Sequence, residues 1–131
     1  MAREIAYVSP GRLVVDGTAS DVGCHVATGF FDRLLGLMGQ PEIATSEMMV
    51  FPRCRSVHTF WMRVRIDVAW LGEPDADGVM PVVGLAPSLG PGRVAVAPRG
   101  AWGCAEAKAG TVPPGSTAFL RLPGLLAGGS R

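Results

Sequence analysis

The sequence predicts a mostly β fold: a single-domain β-sandwich or barrel-like structure with one packed α-helix. Three observations predict it. The 131 residues include 18 Gly and 11 Pro, which cut the chain into pieces of strand length. Only one segment carries apolar residues at helical spacing. The composition, 48% hydrophobic and 18% charged, is too apolar for disorder and rich enough to fill a core. A chain of this length forms one ordinary domain. The domain is expected to span 1–131, with a core from about 4 to 122 and a loose tail over 123–131, "PGLLAGGSR".

The elements follow in order. "EIAYV" and "RLVVDG" flank "SPG" and read as a first hairpin, and "GCHVA" as a further short strand. The helix is "TGFFDRLLGLMG". Thr28 is its N-cap, Gly39 its stop before Pro41, and Phe30, Phe31, Leu34, Leu35 and Met38 form its apolar face. "EMMVF" is an apolar strand. "GEPDADG" reads as a turn joining the strand that precedes it to "VMPVVGL" in a hairpin; it is no calcium loop, since Gly78 follows Asp77 directly and no distal glutamate stands at the required place. "APSLGPG" reads as a loop, and "RVAVA", "AWGCAEA" and "STAFLRL" as the remaining strands.

Charge and cysteine usage exclude several function classes. The net charge of +1 gives no global field toward nucleic acid or an anionic membrane, so neither is an expected partner. The N-terminus reaches Arg3 and Glu4 at once, and no apolar run approaches the ~20 residues of a membrane span. Cys24, Cys54 and Cys104 make neither a CxxC pair nor an even framework, which suits a reducing compartment. The expectation is a cytoplasmic protein without cofactor or metal, a monomer or weak dimer.

The densest stretch is "RCRSVHTFWMRVRIDVAWL", Arg53 to Leu71. Read as a strand, its even positions (Cys54, Ser56, His58, Phe60, Met62, Val64, Ile66, Val68, Trp70) form an apolar face carrying His58. Its odd positions carry four arginines, Trp61 and Asp67. The stretch exceeds a usual strand, so a bend is expected near Arg63 to Arg65. The alternation predicts Phe60, Met62, Ile66 and Val68 in the core, and the arginine face as the recognition surface. Cys54 and His58, four apart, would lie ~13 Å apart on a strand at ~3.3 Å per residue, too far to share a metal. Nothing in the spacing supplies a partner from Cys24, His25 or Cys104.

The blocks "RLLGLMG", "MMVF", "CRSVHTFWMRVRIDVAWL", "DG" and "EAKAGT", in that order, resemble the uncharacterised family called domain of unknown function 192 (the UPF 0127 group). The resemblance covers about Val26 to Ser116, with "SVHTFWM" its strongest block. It implies a compact β-sandwich or barrel-like domain with one helix packed on it, and no activity. The residues matching the family's polar positions are Arg33, His58, Trp61, Met62, Asp67 and Glu106. The chain departs from the pattern at Arg65, where a non-basic residue is common, at Ser88, where Trp follows Pro, and at Lys108, where Pro is usual.

Three functions are compatible with these residues. The first is a small-molecule binding or accessory module, with Arg33, His58, Trp61, Asp67 and Glu106 converging on one concave face. An aromatic ring beside guanidinium donors suits sugars, carboxylates or phosphates. The second is an enzyme pairing His58 with Asp67 or Glu106 as acid and base. The third is an assembly protein docking a partner through the basic strand face. No nucleophile elbow, Walker loop, dinucleotide fingerprint or metal motif accompanies any of them.

Overall fold

The computed structural model describes residues 11–26, 47–60, 64–123 and 125. Among them run β1 (Gly11–Val15), β2 (Thr18–Val26), β3 (Glu47–Pro52), β4 (Ser56–His58), β5 (Ile66–Leu71), β6 (Val79–Leu89), β7 (Val94–Val96), β8 (Gly103–Lys108) and β9 (Ala118–Arg121). Seven strands close a barrel in the order β1-β2-β3-β8-β5-β6-β9, and β4 pairs with β7 in a separate two-stranded sheet. The mostly β expectation holds, as a closed barrel. The helix expected from Thr28 to Met38 lies outside the described residues.

Local sequence explains the first hairpin, though not where the alternation put it. β1 and β2 are joined by Asp16 and Gly17, with φ of 50° and 84°. Positive φ at both central residues is what a two-residue type I′ turn needs, and Asp-Gly meets it at little cost. "RLVVDG" therefore turns forward into β2, which takes in "GCHV". "EIAYV" lies outside the described residues. β2 then pairs with β3 in parallel, Cys24 opposite Met48 and Val26 opposite Val50. A parallel pair demands a crossover of a dozen or more residues, and the chain reserves 27–46 for it.

The other barrel pairings are antiparallel, and β9 completes the ring by pairing with both β1 and β6. Every barrel strand sends residues into one interior cluster, among them Leu13, Cys24, Met48, Val50, Leu71, Met80 and Leu120. Ala69, Ala105, Ala107 and Ala118 fill the gaps between the larger side chains, as a small barrel with a packed interior requires. A second cluster lies outside the wall, where Phe51, Ile66, Val68, Trp70 and Cys104 meet Val57 of β4 and Ala95 of β7. The two-stranded sheet is thus a cover over one outer face of the barrel.

The cover explains the largest departure from the alternation. All six residues of β5 are buried, since Ala69 and Leu71 face the interior while Ile66, Val68 and Trp70 face the cover. Ile66 and Val68 are in the core as expected, but Asp67 is not on a solvated face. Over 56–60 the phase is inverted: Val57 and Thr59 are buried while Ser56, His58 and Phe60 are exposed. Phe60 is 56% exposed, against the expectation that it builds core. The chain turns at Arg53, whose φ is 62°, so the face assignment does not carry through from β3. Met62 lies outside the described residues.

The "APSLGPG" stretch is only partly a loop. β6 continues through it to Leu89 by way of a β-bulge: Ile66 pairs with Leu89 but Val68 with Ala86, so Pro87 and Ser88 together face Asp67. A bulge is one of the few places in a sheet that tolerates proline. Asp75 confirms the "DADG" turn, its Oδ1 accepting the N–H groups of Asp77 and Val79.

Candidate functional site

The bulge brings Ser88 into an unusual conformation, with φ of 51°. A left-handed non-glycine residue costs ~1–2 kcal/mol, so surrounding groups must hold it. Two charged side chains do. Asp67 Oδ1 accepts the Ser88 N–H at 2.9 Å, and Arg65 Nη1 donates to the Ser88 carbonyl at 2.8 Å. Arg65 and Asp67 stand two apart in sequence and grip both polar groups of one strained residue.

Asp67 does more than cap the bulge. Its Oδ2 accepts the N–H groups of Gly110 at 3.1 Å and Val112 at 3.0 Å. At 1% exposure this carboxylate ties the end of β6 to the turn after β8, and all three donors are backbone amides. Such charge-assisted bonds satisfy a buried carboxylate without any cation.

Beyond the bulge, residues 90–93 are anchored by the residue that follows β4. Thr59 is fully buried. Its hydroxyl donates to the Gly90 carbonyl at 2.6 Å and accepts the Arg93 N–H at 2.9 Å. Its backbone N–H donates to the Arg93 carbonyl, and its carbonyl accepts the Gly92 N–H, both at 2.8 Å. The loop therefore has its course set by a single threonine on one side and an Asp–Arg pair on the other.

Between these anchors lies a cleft of about 330 Å³, lined by Arg65, Ser88, Gly90, Pro91, Arg93 and Val94 among others. Gly90 forms its floor beneath the guanidinium, because a Cβ there would lie 3.4 Å from Arg65 Nη1. Arg65 and Arg93 are both exposed, and no carboxylate is among the described lining residues. The alternation pointed to the arginine stripe, and Arg65 is one of its members. Arg93 carried no signal beyond its place after a Gly-Pro-Gly turn. Arg65 and Ser88 are also two of the three positions at which the chain departs from the pattern it resembles.

Of the five residues expected to converge, three are among the described residues. Arg33 and Trp61 lie outside the described residues. Asp67 stands behind the cleft as its builder. His58 stands beside it: its register partner is Val94, a lining residue. His58 is exposed rather than set on a core-facing apolar side, with its ring stacked on Phe60 at 5.0 Å. Glu106 is buried in β8 opposite Val68 and Met49, and cross-strand partners share a face. Asp67 faces the other way, opposite Ala107. The two carboxylates therefore project to opposite sides of the barrel wall, and no single concave face holds both.

Other chemistries find less support among the described residues. No three His, Cys, Asp or Glu side chains group so as to hold a metal ion. Cys24 and Cys104 are buried and Cys54 is half-buried. Burial pushes the Cys24 thiol from its usual 9.0 up to about 12, with Arg12 offsetting this only in part. It is therefore a protonated core residue, not a nucleophile. No helix among the described residues is long and apolar enough to cross a membrane.

Comparison with known proteins agrees with this architecture. A family model described as "Uncharacterized ACR" matches residues 12–112. A protein from Sinorhizobium meliloti 1021, named as a proposed transcription regulator, has a crystal structure similar to this one with a TM-score of 0.63 at 20% identity, over 83% of this chain and 90% of its own. A protein of unknown function from Novosphingobium aromaticivorans DSM 12444 is similar with a TM-score of 0.64 at 17% identity, over 83% of this chain and 82% of its own. At such identities the likeness is one of fold. No protein of curated function matches the sequence.

Proposed function

This chain belongs to the domain of unknown function 192 family, and from that premise we propose that it is a small-molecule binding module. The observation that carries the proposal is the cleft at the end of β6. Its loop is fixed by Asp67, Arg65 and Thr59, and a cleft organised before binding does not spend ligand affinity on ordering itself. His58 and Phe60 form the adjoining rim. The acid–base alternative loses its Asp67 branch, because that carboxylate is occupied by three amides. Three cysteines held as thiols favour a cytoplasmic setting.

A melting screen across sugars, nucleotides, organic acids and metal ions tests the proposal. At least one class should raise the melting temperature with increasing concentration, because a ligand at ~100 times its Kd adds about 2.7 kcal/mol. Gly90→Leu would fill the floor of the cleft and should abolish that shift while leaving the barrel folded. No shift from any class, or a shift unchanged in Gly90→Leu, would refute it.

A second reading draws on the outer side of the cover, where Val94 and Val96 are 60% and 72% exposed beside Phe60. Adjacent apolar side chains left in water favour contact with a protein, here a second copy in a weak dimer. Sedimentation at rising concentration should show a dimer that Val96→Asp removes. A monomer at millimolar concentration would exclude it.

A further inference from the structure

We propose that the cleft binds a small oxyanion, phosphate or carboxylate in kind, held between Arg65 and Arg93. This rests on the binding-module reading and names the ligand chemistry of the same site.

The lining supplies positive charge without compensation. Arg65 and Arg93 both border the cleft, and among the described residues no Asp or Glu does. Asp67, two residues from Arg65, is turned away into the wall, where its oxygens accept amides from Ser88, Gly110 and Val112. It builds the loop without neutralising the guanidinium groups.

The two arginines differ in how they are held. Among the described residues Arg65 donates one side-chain hydrogen bond, from Nη1 to the Ser88 carbonyl, and the rest of its planar fork can donate to a ligand. With its guanidinium over Gly90, it is a fixed donor whose remaining N–H groups suit two oxygens of one anion. Arg93 makes no side-chain hydrogen bond among the described residues. Its backbone is nonetheless tied to Thr59 through both N–H and carbonyl. The root of Arg93 is thus positioned while its head can swing onto a ligand. A fixed fork and a mobile clamp leave room for an oxyanion of variable size.

Strain at the site points the same way. Ser88 and Gly92 have φ of 51° and 75°; their N–H groups are taken by the Asp67 carboxylate and the Thr59 carbonyl, so the arginine side chains are the donors left for a ligand. Strained non-glycine residues that the surroundings over-determine concentrate at ligand sites. Ser88 is held at both its N–H and its carbonyl.

The test is a titration of the isotope-labelled full chain with inorganic phosphate, malonate and glucose in parallel, at constant ionic strength. Phosphate or malonate should give saturable amide shifts confined to Ser88, Gly90, Gly92, Arg93 and their neighbours, and glucose should give none. Arg65→Gln and Arg93→Gln should each weaken binding on the order of tenfold or more, as loss of a charge-assisted hydrogen bond implies. Arg121→Gln should leave it unchanged. Arg121 lies opposite Val79 at the far end of β6 and reports non-specific anion attraction. Arg93→Gln keeps the test decisive if Arg65→Gln loosens the bulge. Saturable glucose shifts in this loop with no response to either anion would overturn the oxyanion assignment and retain the binding module. Anion shifts equally sensitive to Arg121→Gln would overturn the assignment. No saturable response to any probe here or in the wider melting screen would overturn the binding module with it.

Discussion

Asp67 and Ser88 hold one another in place: the carboxylate of the first accepts the N–H of the second at 2.9 Å, and the second is bulged out of β6 directly opposite the first. The bulge frees a part-buried N–H from the ladder, and leaving such a donor unpaired would cost at most ~1–3 kcal/mol. Asp67 removes that cost, and its other oxygen binds the turn after β8. The bulge and the anchored turn after it together shape the cleft, with Ser88, Gly90 and Arg93 in its lining.

Replacing Asp67 by alanine strands three backbone donors at once. We expect a loss of about 3–5 kcal/mol in urea unfolding, with faster amide exchange at Ser88, Gly110 and Val112. Asp67→Asn retains one acceptor but sets an amide donor against backbone donors, so it should lose at least ~2 kcal/mol. A neutral result for Asp67→Ala would remove the carboxylate from its structural role.

Ser88 offers a test with an opposite sign. Ser88→Gly relieves left-handed strain of ~1–2 kcal/mol against ~0.5–1 kcal/mol of added chain entropy. A small net gain, about 0.5 kcal/mol, should follow. Ser88→Val, with a branched Cβ in the same conformation, should cost ~1–2 kcal/mol. If both variants behaved alike, φ at Ser88 would not be what limits the bulge.

Phe60 and Ile66 separate the strand pattern from the tertiary arrangement. Simple alternation puts both in the core and assigns Phe60→Ala a cost of ~3–5 kcal/mol. With Phe60 56% exposed and Ile66 fully buried, Phe60→Ala should cost below ~1 kcal/mol, chiefly its stacking on His58. Ile66→Ala should cost ~2–5 kcal/mol. Urea midpoints of the two variants decide the matter.

The thiols should react in an order set by burial. Cys54, half-buried, should be modified in the native protein, while Cys24 and Cys104 should wait for unfolding. Denatured, non-reduced protein should titrate three thiols. Burial keeps the Cys24 proton on up to about pH 12 in the fold, against 9.0 ordinarily. Between those values the unfolded chain has released a proton that the native state retains. Stability should therefore fall as pH rises above 9, by roughly 1.4 kcal/mol per unit. Cys24→Ala should lack this slope, which a comparison of urea midpoints at pH 8 and pH 10 would show.

The limits of the alternating pattern are clearest at β4 and β5. Ile66 and Val68 were legible as core because they sit in an apolar run, whatever covers them. Asp67 and Phe60 were not. A strand's two faces alternate, but the sequence carries no mark of how many faces are covered. β5 is buried on both sides only because β4 and β7 fold back over the barrel, and this depends on contacts between segments far apart in the chain. The register slip near Arg53 then inverts which residues of 56–60 turn inward.

Sequence by itself determined the mostly β class, the positions of β3, β6, β8 and β9 within a few residues, the "DADG" turn and the family. These follow from backbone preferences of Gly, Pro and Asp and from local apolar runs, which act over a few residues. Closure of the barrel, the Pro87–Ser88 bulge, the separation of Asp67 from Glu106 and the pairing of Arg65 with Arg93 around one cleft were decided by the tertiary structure. Each depends on which strand lies beside which, and on the one-residue register between them. Hydrogen bonds between distant segments set both, and no local pattern encodes them.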